Sequence, residues 1–186
     1  NRYLTVTKID DRARCLVRLS ATISGNDSLE AWALPNPTIR MTMPEPPEEF
    51  SSIPGAPQTT SRVYTLADID TENRTVQRDL VRHREISPVM RWLKTLLVGD
   101  RVEVVGPRPH RTPADGNPRV LLADSSALPA ATRILTTMPP QAQTIVIAAV
   151  PEDEFSLLRQ QDDLSWDTIT AYRVDPHKQD PLASAL

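Results

Sequence analysis

A two-residue rhythm of apolar and polar side chains runs through the first hundred residues and limits what they can form. "RYLTVTKI", "RARCLVRLS" and "PTIRMTMP" each alternate, the last with Ile39, Met41 and Met43 on one side and Arg40 and Thr42 on the other. "SRVYTLADID", "RTVQRDLVRH" and "RVEVVGP" continue the pattern, with Pro, Ser and Gly clusters between. A period of two sends successive side chains to opposite faces of a sheet, so these segments predict short antiparallel strands with one buried face, as in a barrel or sandwich. "MPEPPEEFSSIPGAPQTT" has no period, is rich in Pro and acidic residues, and reads as a surface loop. Cys15 falls among alternating apolar residues and is expected in a buried strand; as the single cysteine it cannot form an intrachain disulfide.

One segment breaks the rhythm. "EISPVMRWLKTLLVGD" predicts a helix over about 87–98, with Ser87 as N-cap, Pro88 at the first helical position, Val89, Trp92, Leu93, Leu96 and Leu97 on one face, and Gly99 as the stop. Its N-terminus offers backbone N–H groups and the positive end of a helix dipole, which suits a phosphate or pyrophosphate. Arg62 on the preceding strand can add a bidentate guanidinium, Tyr64 a ring for stacking, and Thr65 a hydroxyl for a polar ring edge. From Arg119 the rhythm changes again: "PRVLLAD" is a short apolar strand, "SSALPAATRILTTM" a helix, and "QTIVIAAVP" and "SWDTITAYRV" two more strands, the opening of a parallel α/β unit. The boundary near "HRTPADGNP" divides the chain into 1–113 and 114–186, the second short for a doubly wound domain, as if cut off.

Composition excludes several classes. With 39% apolar residues over 186 positions the chain can bury a core. No apolar run approaches the roughly 18 residues that cross a bilayer, and "NRYLTVTKID" lacks the apolar centre of a signal peptide, so a cytoplasmic protein without a membrane span is expected. His83, His110 and His177 have no metal-ligand spacing, and no metal is predicted. The net charge is −3, yet Arg74 to Arg119 holds ten Lys/Arg against five Asp/Glu. That basic segment is either a solvated face or a site for an anionic ligand. Nucleic acid is the weaker partner, because aromatics do not interleave with the cations.

"RVYTL", "DLVRH", "SPVMRW" and "GDRVEVVGPR", in this order and spacing, resemble the siderophore-interacting proteins, flavin-dependent ferric-siderophore reductases related to the ferredoxin-reductase superfamily. "RVLLADSSALPAATRIL" extends the likeness over nearly the whole chain. The resemblance implies a β plus α/β architecture, an antiparallel FAD-binding β-barrel followed by the α/β unit. It implies that Arg62 meets the FAD pyrophosphate, that Val63 and Tyr64 line the isoalloxazine or ribityl part, and that Thr65 lies near the flavin N5 edge. Val81, Arg82 and His83 would run along the pyrimidine side, and Ser87, Pro88, Val89 and Met90 would close on the pyrophosphate. Asp124, Ser125 and Ser126 stand where the family meets a nicotinamide nucleotide. The chain departs from the family at Ala67, usually a second Arg, at Arg84, usually Gly, at Ser87, usually a second Gly, and at Met90, usually Ser.

The implied activity is electron transfer from NADH or NADPH through FAD to a ferric siderophore, an anionic iron chelate, with release of ferrous iron. Arg82, Arg84, Arg91, Lys94, Arg108 and Arg111 would then rim the cofactor mouth. No side-chain acid or base is required, and no catalytic residue is assigned. The second reading is a flavin- or siderophore-binding module without turnover.

Overall fold

The computed structural model describes residues 2–44, 59–83, 87–114, 118–139 and 143–177. Of the acidic, Pro-rich surface loop expected over 43–60, Met43 and Pro44 instead end one strand and Thr59 and Thr60 begin the next, with Met43 and Thr60 buried, and 45–58 lie outside the described residues. Seven strands form one antiparallel sheet: β1 (Arg2–Ala13), β2 (Leu16–Ile23), β3 (Pro37–Pro44), β4 (Thr59–Thr65), β5 (Asp68–Asp70), β6 (Thr75–Val81) and β7 (Arg101–Pro109). Their order is β4-β3-β7-β1-β2-β6-β5. The two edge strands are therefore consecutive in sequence, joined only by Leu66 and Ala67. Leu66 N–H donates to the Pro37 carbonyl on β3, and Ala67 N–H, one residue on, to the Gln77 carbonyl on β6. Two residues reach about 7 Å, so the sheet is rolled until its ends meet.

Alternation decides what fills the roll. Ile39, Met41 and Met43 are 0%, 1% and 0% exposed, and Leu4, Val17, Leu19, Val76 and Leu80 are likewise buried. Trp32, in a 3-10 turn after β2, is fully buried among them. Each large apolar side chain so enclosed contributes about 1.5–3 kcal/mol.

Helix α1 (Pro88–Thr95) packs Val89, Met90 and Trp92 on this core. It ends four residues before Gly99. The reason lies in what captures the chain next: Leu97 N–H donates to Asp100 Oδ2 and Gly99 N–H to the Val6 carbonyl, which turns the backbone into β7 before another helical turn can form. Gly99 supplies the positive φ of that turn, and Leu97 is 67% exposed rather than on the packed face. Cys15 also differs from expectation. Strand β1 runs on to Ala13, so Cys15 falls in the Arg14–Cys15 turn, half-buried, its carbonyl accepting from Arg82 N–H.

The second unit is a parallel sheet, ordered β10-β9-β8, of β8 (Arg119–Asp124), β9 (Thr144–Ala149) and β10 (Ile169–Val174). Helices α2 (Leu128–Thr137) and α3 (Glu152–Arg159) connect them and pack with Ala123, Val146 and Ala148. Val120, Leu122, Ile145 and Tyr172 are between 39% and 55% exposed. Among the described residues no helix is long and apolar enough to cross a membrane.

Among the described residues, Arg133 and Asp153 tie the units together. The Arg133 side chain of α2, only 4% exposed, pairs with Asp68 of β5 at 3.3 Å and donates to the Leu34 carbonyl at 3.4 Å. Asp153 of α3 accepts from Arg14 N–H at 2.8 Å. Beside it, Glu154 is fully buried with neither carboxylate oxygen in hydrogen-bond geometry. Burial, reinforced by Asp153, Asp124 and Asp79, pushes its carboxyl above the usual glutamate value, against the pull of the Ser125 hydroxyl.

Glu154 thus keeps its proton in the folded chain at pH values where the unfolded chain has lost it, and stability falls as pH rises from the ordinary glutamate range through the raised one. Glu154→Gln removes that cost. Thermal melts are expected to show the variant gaining on the parent at pH 8 and matching it near pH 4; an equal difference at both pH values would refute a titrating Glu154.

Candidate functional site at the seam of the rolled sheet

Rolling brings the two edges near each other, but among the described residues no ladder joins β4 to β5 or β6. Strand β5 has three residues and covers β6 only from Thr75 to Gln77. From Arg78 to Val81, β6 pairs on one side alone, with β2, and β4 pairs only with β3. A cleft of about 320 Å³ opens along this seam. Arg62, Val63 and Tyr64 of β4 form one wall, Asp79, Leu80 and Val81 of β6 the other, and His83 follows. Ser87, Val89 and Met90 at the start of α1 close one end, while Ser126 enters from the turn between β8 and α2.

Each wall has its own chemistry. Arg62 is exposed, with one guanidinium nitrogen on the Ser61 carbonyl at 2.9 Å, and Val63 presents an apolar surface that is 51% exposed. Tyr64 is half-buried over the core. At the closed end Ser87 caps α1, its hydroxyl oxygen accepting from Met90 N–H at 3.3 Å, and Pro88 stands at the first helical position. The remaining first-turn N–H groups and the dipole leave this end positive. Asp79 adds little negative charge. Arg18, its cross-strand partner, grips it through two nitrogens at 2.7 and 2.9 Å and has its own pKa raised chiefly by that hydrogen bond.

Eight of the residues named from sequence for FAD meet in this cleft: Arg62, Val63, Tyr64, Val81, His83, Ser87, Val89 and Met90. Thr65 continues the β3–β4 ladder opposite Thr38, and Pro88 sets the helix start, neither forming the wall. Arg82, one residue past the end of β6, does not line the cleft and pairs with Asp11 at 2.8 Å. Among the three β8–α2 residues, Ser126 lines the cleft. Asp124 holds the turn, accepting from Ser126 N–H, Ser126 Oγ–H and Ala127 N–H; although burial pushes its pKa up, these bonds outweigh it and the value is lowered. Ser125 faces Glu154 instead. Arg91, Lys94, Arg108 and Arg111 do not line the cleft, and Arg84 lies outside the described residues.

Sequence reading missed Asp79 and Leu80, which line the wall, and Arg78, which lies behind it. The signal for Arg78 was present. In "TVQRDLV" the alternation puts Arg78 in the inward register with Val76 and Leu80.

A flat apolar slot, a stacking ring, an exposed guanidinium and a helix N-terminus at one end form a donor set that suits an aromatic ring joined to a diphosphate. A second hollow of about 450 Å³ lies between β2, β5 and β6 and helices α2 and α3. It is larger, but Arg18 and Arg133 are there already committed to Asp79 and Asp68, and no aromatic side chain lines it.

If the Asp124 bonds hold the turn that carries Ser126, Asp124→Ala should lower the melting temperature, at a cost of about 1 kcal/mol, with the loss disappearing as the medium is acidified through the lowered carboxyl pKa. Melts of the two proteins across pH 2–7 would test this.

Residues 22–111 match the siderophore-interacting FAD-binding domain, and residues 117–186 match the siderophore-interacting protein model. The chain is 34% identical over 134 residues to a ferric acinetobactin reductase of Acinetobacter baumannii, covering 71% of this chain and 44% of that protein. The chain thus spans less than half the length of this curated relative. The structure of a siderophore-interacting protein from Acinetobacter baumannii superposes with a TM-score of 0.79 at 27% identity, covering 100% of this chain and 72% of the other. The siderophore-interacting protein SipS of Aeromonas hydrophila gives 0.72 at 25% identity, covering 98% and 71%. A ferredoxin NADP+ reductase from Neisseria gonorrhoeae shares the fold, with a TM-score of 0.68 at 14% identity. On these matches and the order of its motifs, the chain belongs to the siderophore-interacting protein family.

Proposed function

We propose that the seam cleft binds FAD and that the chain serves the reduction of ferric siderophores, with NADH or NADPH as electron donor. The observation that carries this reading is the convergence of Arg62, Tyr64 and the first turn of α1 on one slot where the sheet lacks a strand. The acinetobactin reductase relative supports the substrate class. Reduced nicotinamide is held in the cytoplasm, and that is the compartment proposed. The division into a flavin-binding unit at 1–113 and a nicotinamide-binding unit at 114–186 belongs to the same proposal.

When bound, FAD would supply the redox chemistry, hydride acceptance from the nicotinamide and single-electron donation to ferric iron. The residues bind and orient. Arg62 would neutralise a pyrophosphate, and the N–H groups beside Ser87 would offer it hydrogen bonds. Tyr64 gives the ring a flat surface, and Val63, Leu80 and Val81 exclude water from its edges. Ser126, entering from the α/β unit, would be the residue that meets the nicotinamide nucleotide at the cleft. Thr65, Arg82 and Pro88 act one step back: Thr65 and Pro88 hold the backbone of the two walls, and Arg82 anchors β6 to β1 through Asp11.

The purified chain is expected to retain flavin absorbance after addition of FAD and desalting. Arg62→Ala should weaken FAD binding by tenfold or more, the worth of about 1.5–3 kcal/mol for hydrogen bonds to a charged group. A chain that rejects FAD overturns the reading. If FAD binds but is not bleached by NADH or NADPH, the chain is a flavin-binding module without turnover.

A further inference from the structure

Arg78 is the least explained side chain in the barrel. It is 1% exposed, in the inward register of β6 among core residues. Its guanidinium lies over the ring of Tyr64, 3.5 Å from the centroid, and one nitrogen contacts the Met41 sulfur. Among the described residues, its Nε and second terminal nitrogen have no partner in hydrogen-bond geometry. The nearest carboxylate in sequence, Asp79, points to the other face and is held by Arg18. Burial lowers the pKa of Arg78 to about 10, which still leaves it cationic at neutral pH.

Stability does not account for this residue. A buried cation with unfilled donors costs free energy, and an apolar side chain of similar volume in its place is commonly neutral or stabilising. What the charge does have is a position. Tyr64 lines the cleft, and Arg78 sits against its ring without lining the cleft itself.

We propose that Arg78 is a positioning residue of the cleft: it holds the Tyr64 ring and keeps a permanent positive charge behind that wall, so that FAD is bound more tightly reduced than oxidised. This rests on the flavin reading of the cleft. The oxidised isoalloxazine is neutral, whereas the two-electron-reduced ring carries negative charge near neutral pH. A fixed cation in a poorly solvated wall therefore acts mainly on the reduced form. The cation also draws the electron-rich face of Tyr64 toward itself, which restricts the ring that meets the flavin.

The test compares the parent with Arg78→Met, Arg78→Gln and Arg78→Lys. Three quantities are measured: the melting temperature, the affinity for oxidised FAD, and the midpoint potential of bound FAD by reductive titration against a reference dye. Arg78→Met is expected to fold with equal or higher melting temperature and to bind oxidised FAD. Its preference for reduced over oxidised FAD should fall by about tenfold, read as a more negative midpoint. Arg78→Lys should recover much of the difference. Arg78→Gln, polar and uncharged, should give the same loss as Arg78→Met and serves in its place if that variant does not fold. A neutral variant that binds FAD with an unchanged midpoint overturns the proposal and leaves Arg78 a packing residue. A parent chain that does not bind FAD overturns the flavin reading, and this proposal with it.

Discussion

Two residues hold the architecture together. Because Leu66 and Ala67 alone join β4 to β5, the strands at opposite edges of a seven-stranded sheet have to lie side by side, and the sheet can only be a roll. The rolled sheet then needs an interior. The buried faces of β1, β2, β3, β6 and β7 supply it, and α1 covers what they leave open. Flat sheets with the same alternation would expose that face to water.

The same short link produces the cleft. A β5 of three residues cannot shield β6 beyond Gln77, so the seam stays open over Arg78–Val81. The open stretch is where α1 begins and where the turn after β8 arrives, so an apolar slot, a positive helix end and a residue from that turn meet there. Position in the fold supplies most of the site. The individual side chains, Arg62 and Tyr64 above all, adapt it to a ligand with a ring and a diphosphate.

Much of this could be read from the chain because it rests on local rules. The alternation in "PTIRMTMP" depends only on the pleat, and the Ser87–Pro88 start of α1 only on capping, so both are found where expected. The end of α1 depends on Val6 and Asp100, partners that sequence does not place beside it. Cys15 depends on how far β1 runs before reversing. Arg82 and Arg78 show the limit most plainly: alternation alone puts both in the register of Val76 and Leu80, yet Arg78 lies under Tyr64 whereas Arg82, one residue past the end of β6, pairs with Asp11. The contacts of Arg133 and Asp153 with the barrel join elements far apart in the chain and had no local signal.

The exposed Val120, Leu122, Ile145 and Tyr172 of the parallel sheet also have a thermodynamic consequence. Apolar surface that is already wet in the folded state releases no new heat capacity on unfolding, so this unit contributes less to the curvature of the stability curve, residue for residue, than the barrel with its enclosed core. The two units therefore respond differently to temperature and denaturant, the barrel more steeply. Ionic and hydrogen-bonded ties such as Arg133–Asp68 then determine how far the chain melts as one cooperative body.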